Sequence, residues 1–137
     1  MPKTVLVIDD DRDVREVAKT SLELVGGFMV ILADSGKSGV DLAQQARPDA
    51  IILDLMMPDL DGQQTLVQLK LLPETASIPV IMLTAKVQAK RQELVSKGAA
   101  GVLVKPFDPM HLPDQVCEIL GWGAAGKDVG HDGSPKE

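Results

Sequence analysis

Aromatic side chains are almost missing from this chain: Phe28, Phe107 and Trp122 are the whole set, and tyrosine is absent. The core must therefore be aliphatic, and the ring platforms on which nucleic-acid bases stack are lacking. Cysteine is as scarce. Cys117 alone excludes an intrachain disulfide and offers no metal-ligand spacing, and it reads as a small buried apolar residue. The two histidines, His111 and His131, have no ligand partners in view. No apolar run approaches the ~20 residues of a membrane span. Met1-Pro2-Lys3 followed by a short apolar run is not a signal peptide. Positive charge is in deficit, with 14 Lys and Arg against 20 Asp and Glu. A net charge of −6 argues against a nucleic-acid backbone or an anionic membrane as a main partner. The expectation is a cytoplasmic protein.

What remains is an ordinary globular composition, 45% hydrophobic and 25% charged, over 137 residues, which fits one domain without staples. Its organisation is read around Ile51-Ile52-Leu53-Asp54-Leu55-Met56-Met57-Pro58, an apolar run broken by a single carboxylate. A carboxylate at the exit of a buried strand costs stability unless something pairs with it.

Val5-Leu6-Val7-Ile8 reads as a strand buried on both faces, ended by Asp9-Asp10-Asp11. Asp11 caps a helix whose inner face runs from Val14 through Val17, Ala18, Ser21 and Leu22 to Val25, stopped by Gly26-Gly27. Met29 to Ala33 is a second strand and Lys37 to Ala46 a second helix, with Val40, Leu42, Ala43 and Ala46 as its inward candidates. Ala50 to Leu53 is the third strand, ending at Asp54. A turn-rich loop through Asp61-Gly62 leads to a helix from Gln63 to Leu72. Ile78 to Leu83 contains the fourth strand, with Pro79 at its start and Thr84 at its end. Lys86 to Lys97 is a weakly amphipathic helix, and Gly101 to Val104 the fifth strand, ending at Lys105-Pro106. Asp108-Pro109 is predicted to open the last helix, with Pro at its first position. Pro113 conflicts with that start, so the helix begins late or bends in its first turn. The predicted domain spans residues 1–121, and 122–137 reads as a flexible Gly-rich tail.

Five strand-helix units imply a parallel sheet with helices on both faces and right-handed crossovers. The commonest order for such a doubly wound α/β sheet is 2-1-3-4-5, with a crevice at the carboxyl ends of strands one and three. Four strands then end in polar residues at one edge: Asp9-Asp10, Asp54, Thr84 and Lys105. Carboxylates this close repel, at about 4 kcal/mol per pair for ~4 Å and an effective dielectric of ~20. Either a proton or a cation must compensate, and oxygen donors without His or Cys favour a hard cation such as Mg²⁺. The expected ligands are Asp10 and Asp54, with Asp9 acting mainly through water and the Met56 backbone carbonyl as a further candidate. The same groups suit a phosphoryl group on Asp54. Mg²⁺ would flank it on one side and the Lys105 ammonium on the other, with the Thr84 hydroxyl able to donate to a phosphoryl oxygen.

Val7-Ile8-Asp9-Asp10-Asp11, Leu53-Asp54-Leu55-Met56-Met57-Pro58 with Asp61-Gly62, Leu83-Thr84-Ala85 and Val104-Lys105-Pro106-Phe107 occur in that order at strand ends. With these motifs the chain, from about Thr4 to Gly121, resembles the receiver domain of two-component response regulators, including the stand-alone chemotaxis type. That family has the flavodoxin-like fold with strand order 2-1-3-4-5, so fold and resemblance are not independent. The resemblance implies Asp54 as phosphoacceptor from a histidine kinase or phosphotransfer protein, and Asp9 and Asp10 as the metal-binding acids. It implies Thr84 as switch hydroxyl, Lys105 as the cation on the phosphoryl group, and a cis Lys105–Pro106 bond. A downstream protein partner would read the region 84–120. One departure stands out: where such domains carry an aromatic three residues before the lysine, this chain has Val102.

Rival classes fit less well. A haloacid-dehalogenase-like phosphatase needs a general acid two residues after its nucleophile, and Met56 stands there. A flavodoxin-like cofactor binder needs a phosphate loop after strand one, where Asp9-Asp10-Asp11 would repel it. Lys86, Lys90, Arg91 and Lys97 read as a solvated helix face, with docking of an acidic partner as the sharper alternative.

Overall fold

The computed structural model describes residues 2–57, 61–85 and 87–123, and the backbone alone of 87–90. Expectations on Pro58, Lys86, the side chain of Lys90 and the tail from residue 124 lie outside the described residues. Strands β1 (Thr4–Ile8), β2 (Met29–Ala33), β3 (Ala50–Asp54), β4 (Val80–Thr84) and β5 (Gly101–Val104) alternate with helices α1 (Arg12–Thr20), α2 (Gly36–Ala46), α3 (Gly62–Leu71), α4 (Val87–Ser96) and α5 (Leu112–Leu120). The strands form one parallel sheet in the order β2-β1-β3-β4-β5. The predicted doubly wound α/β fold is therefore present.

Alternation along the strands sorts the aliphatic side chains into two cores. Leu6, Ile8, Ile51 and Leu53 face Val40, Leu66 and Leu94 on the side of α2, α3 and α4. Val5, Val7, Ile52 and Leu83 face Ala18, Leu22 and Val116 on the side of α1 and α5. β3 and β4 are buried along their whole length, which is why their polar residues stand only at the end. On α2, Val40 and Ala43 are buried as expected, whereas Leu42 is half-buried and Ala46 exposed.

Two helices depart from the expectation. The first does not run unbroken to Val25: after α1, residues Ser21–Val25 form a π-helical turn, with the Gly26 N–H reaching the Ser21 carbonyl at 3.2 Å. Ser21 is buried there, and its hydroxyl donates to the Pro109 carbonyl. The last helix starts at Leu112, not at Asp108-Pro109. A start at Leu112 brings Pro113 into the first turn, where its missing N–H breaks no helical bond. Asp108 instead closes a preceding turn, its Oδ1 accepting from the Met110 N–H at 2.9 Å and its Oδ2 lying 2.7 Å from His111 Nδ1.

Packing continues past Gly121. Trp122 sits 5.8 Å from Phe28, ring centre to ring centre, with Lys3 Nζ 4.8 Å from its own. The scarce aromatics thus tie the end of α5 to the starts of β1 and β2, opposite the polar edge. Cys117 is buried on α5, and burial, with Asp114 nearby, pushes its thiol up to about 11. Native protein at pH 8 should therefore react with a thiol reagent roughly 100-fold more slowly than denatured protein, because so little thiolate is present. Equal rates would mean that the α5 face opens freely.

Candidate functional site

The register sets four polar positions side by side at the carboxyl edge of the sheet. Ile8 pairs with Leu53, which makes the next residues, Asp9 and Asp54, neighbours. Asp54 pairs with Leu83, one residue before Thr84, and Thr84 pairs with Val104, one residue before Lys105. The Lys105 N–H donates to the Thr84 carbonyl at 2.9 Å, which carries the β4–β5 contact one step past the ladder. The Lys105–Pro106 bond is cis, as the family resemblance implies.

These side chains converge. Lys105 Nζ lies 3.0 Å from Asp54 Oδ1 and 3.1 Å from Asp9 Oδ2. Asp9 is wholly buried and Asp54 is 2% exposed, while the lysine side chain keeps 25% of its surface in solvent. Asp10 is exposed, yet carboxylate oxygens of Asp9, Asp10 and Asp54 all lie within 4.8 Å of one another. Asp9 Oδ1 accepts from the Asp11 N–H at 2.9 Å. Asp9 Oδ2 makes no hydrogen bond of good geometry, so the lysine is an ionic contact rather than a directed donor to it. A buried carboxylate oxygen in that state, beside two further carboxylates and no nitrogen or sulfur donors, fits a hard divalent cation.

The titration of the site reflects the same conflict. Burial pushes the Asp54 carboxyl above its ordinary value; the hydrogen bond from Lys105 works against that shift, and the charge of Asp9 adds to it. For Lys105, burial alone would lower the ammonium, but the bond to Asp54 and the negative charges of Asp9 and Asp54 outweigh it and hold the group above its usual value. One cation thus serves two buried anions, with a third close by.

Other predicted positions sort out as follows. Thr84 is buried at the end of β4. Met56, two residues past Asp54, is 75% exposed and its N–H lies 3.4 Å from Asp54 Oδ1, whereas Met57 is buried in the core. Val102 is also buried, in the cluster that holds Leu94 of α4 and Ala99. On α4, Arg91 is exposed and Lys97 bridges to Gln63 of α3 at 2.7 Å and to Glu93 at 3.5 Å. Among the described residues that face is a solvated one with local partners.

Two contributors act through contacts that the sequence pattern does not show. Gly62 opens α3, and its N–H donates to the Leu55 carbonyl at 2.9 Å. A Cβ there would stand 2.3 Å from the Asp54 carbonyl oxygen and 2.6 Å from Leu55 Cα. In the sequence Gly62 belongs to the Asp61-Gly62 motif, but nothing there shows that it admits α3 to the Asp54 backbone. Arg15 looks like an outward charge on an amphipathic helix, yet its Nη1 donates to the Asp9 carbonyl at 2.8 Å. Neither contact leaves a periodic signal.

Fold and edge together define a parallel α/β domain with an acid-lined crevice at its topological switch point. Residues 5–117 match the family described as response regulator receiver domain, and the chain belongs to that family. It is a phosphorylation-controlled signalling module of the two-component type. It is 44% identical over 122 residues to the DNA-binding dual master transcriptional regulator RpaA of a Synechocystis species, covering 88% of this chain and 49% of that protein. The chain spans about half the length of the curated relatives it matches. In three dimensions it is similar to the chemotaxis regulator CheY4 of Vibrio cholerae, with TM-score 0.81 and 32% identity over 87% of this chain and 99% of that one. The receiver domain of the sensor histidine kinase PA1611 of Pseudomonas aeruginosa gives TM-score 0.78 and 27% identity over 88% and 99%; that domain is described with a magnesium ion coordinated in its active-site cleft. No helix among the described residues is long and apolar enough to cross a membrane.

Proposed function

We propose that Asp54 accepts a phosphoryl group from a phosphohistidine of a histidine kinase or phosphotransfer protein. The observation that carries this reading is the shared ion pair: a buried Asp54 and a buried Asp9 held by one lysine at 3.0 and 3.1 Å. An Asp54 oxygen attacks phosphorus as the bond from phosphorus to the donor nitrogen breaks, and the electron pair leaves with the imidazole. Little covalent help is needed; positioning and charge neutralisation dominate. Lys105 meets the transferred group with a positive charge, and the Thr84 hydroxyl donates to one of its oxygens. Asp10 and Asp54, with Asp9 behind them and the Met56 carbonyl as a further candidate, hold Mg²⁺. When bound, that ion supplies the neutralising charge that the crowded carboxylates and the phosphoryl oxygens both require.

Asp54 then acts as a reversible phosphoryl store with slow self-catalysed loss, not as a turnover nucleophile, because Met56 offers no proton. Val102 is not aromatic, so either phosphorylation is reported through Thr84 and shifts of loop and helix up to Gly98 to a protein partner on residues 84–120, or the protein serves mainly as a phosphoryl carrier. Residues 1–121 are the receiver unit, with Trp122 packed against Phe28 at its end. The DNA binding in RpaA's description belongs to that longer protein; the net charge of −6 bears on these 137 residues alone.

Acetyl phosphate or phosphoramidate with Mg²⁺ should add one phosphoryl group to the protein, read by intact mass, and Asp54→Asn should add none. Labelling that persists in Asp54→Asn would refute the assignment.

A further inference from the structure

Arg15 of α1 reaches back to the end of β1, and it does so through the main chain. Its guanidinium donates to the Asp9 carbonyl at 2.8 Å. That carbonyl lies one residue past β1, whose pairing with β3 ends at Ile8 and Leu53, so no strand partner satisfies it. The other polar atoms of Asp9 are taken by separate elements. Its N–H donates to the Ala33 carbonyl of β2 at 3.1 Å, its Oδ1 accepts from Asp11, and its Oδ2 faces Lys105. Arg15 therefore completes a four-sided hold on one residue.

The carbonyl it grips belongs to the peptide unit that joins Asp9 to Asp10. Peptide planarity makes that unit rigid, so fixing its oxygen fixes the direction in which both acids leave the backbone. This matters most for Asp10. It is exposed, yet its carboxylate oxygen stands within 4.8 Å of those of Asp9 and Asp54. Its Cα–Cβ direction is set by that backbone, and its rotamers turn about that direction. We infer that Arg15 is a positioning residue that sets the Asp9–Asp10 peptide plane and so presents the acid pair to a divalent cation. The inference rests on the reading of this crevice as a Mg²⁺ site.

Charge and position predict opposite signs, so the role can be separated from a plain electrostatic one. A positive group beside a cation site weakens cation binding; removing it should tighten binding. Loss of a group that orients metal ligands weakens binding, by roughly 10-fold or more for outer partners of this kind. Mg²⁺ is titrated calorimetrically into metal-free wild type, Arg15→Ala and Arg15→Lys, with thermal unfolding confirming that each is folded. The expected result is a Kd roughly 10-fold higher for Arg15→Ala, and a partial recovery for Arg15→Lys, which keeps a donor but loses the planar fork. In the acetyl phosphate reaction, Arg15→Ala should need more Mg²⁺ for half-maximal rate and approach the wild-type rate at saturation. Should Arg15→Ala bind Mg²⁺ as tightly as wild type, or more tightly, the positioning role is overturned. Should Arg15→Ala not fold, Arg15→Gln and Arg15→Lys decide, and affinity unchanged or tighter in both overturns the positioning role. Absence of Mg²⁺ binding in wild type would instead remove the underlying reading of the crevice.

Discussion

Metal-free Asp54→Asn should unfold at a higher temperature than metal-free wild type at pH 7, although the substitution deletes an ion pair. Asp54 is 2% exposed, so its charge is poorly solvated, and the charge of Asp9 adds to that cost. The bond to Lys105 that the variant forfeits is worth about 1.5–3 kcal/mol as a charge-assisted hydrogen bond. Burial and the Asp9 charge together outweigh that bond, which is the sense of the raised pKa, so the neutral side chain gains stability, and Lys105 stays paired with Asp9. The pH dependence has a definite sign. The folded state raises the Asp54 pKa above its ordinary 3.8, so the native protein holds that proton more tightly than the unfolded chain. The favourable contribution of Asp54 is complete below the unfolded value and is lost as pH rises through the folded one. The advantage of Asp54→Asn should accordingly be small near pH 3, grow through that window and then level off.

Adding Mg²⁺ should invert the ranking. The ion stabilises wild type by about 1.4 kcal/mol for each tenfold excess over its Kd, and Asp54→Asn gains less. Denaturant unfolding of both proteins, with chelator and with Mg²⁺, gives the four numbers required. A variant less stable than wild type at pH 7 without metal would mean that Lys105 already compensates both carboxylates in full, and the electrostatic argument for a second cation would fall.

The sequence made much of this legible, for a physical reason. A parallel sheet buried on both faces writes its strands as continuous apolar runs, and polar residues are tolerated only where those runs end. Asp9, Asp54, Thr84 and Lys105 are therefore conspicuous, and the alternation of strands and helices brings them to one edge. The family motifs add their order along the chain. The departures are local competitions. Asp108-Pro109 looks like a helix start, but Pro113 fixes where helical hydrogen bonds can begin, and Asp108 caps a turn instead. The widening of α1 at Ser21 depends on a hydroxyl reaching Pro109, 88 residues away. Arg15 and Gly62 act on backbone atoms of the site, and no side-chain pattern encodes such contacts.

Gly62 yields the other large effect. Its substitution by alanine should both destabilise the protein and slow phosphorylation. The added Cβ would meet backbone on two sides, the Asp54 carbonyl oxygen at 2.3 Å and Leu55 Cα at 2.6 Å. A flexible side chain could turn aside; a strand exit cannot. Either α3 moves outward from the sheet or the Asp54–Leu55 segment shifts. Overpacking of this kind costs typically about 1–3 kcal/mol. The Leu55 N–H holds the Leu83 carbonyl at 3.0 Å and the Leu55 carbonyl holds the Gly62 N–H at 2.9 Å, so the segment moves as a unit and carries the Asp54 carboxylate away from Lys105. A misplacement approaching 1 Å at a reacting group can cost on the order of 100-fold in rate, and a loss of at least tenfold in acetyl phosphate labelling is expected for Gly62→Ala. Gly101→Ala is the matched control. Its Cβ would meet only the Ile119 side chain, at 2.6 Å, on the α5 face away from the acids. It should lose stability while labelling at nearly the wild-type rate. If both variants lose stability equally and both label normally, the close approach of α3 to the Asp54 backbone is not what sets the nucleophile in place.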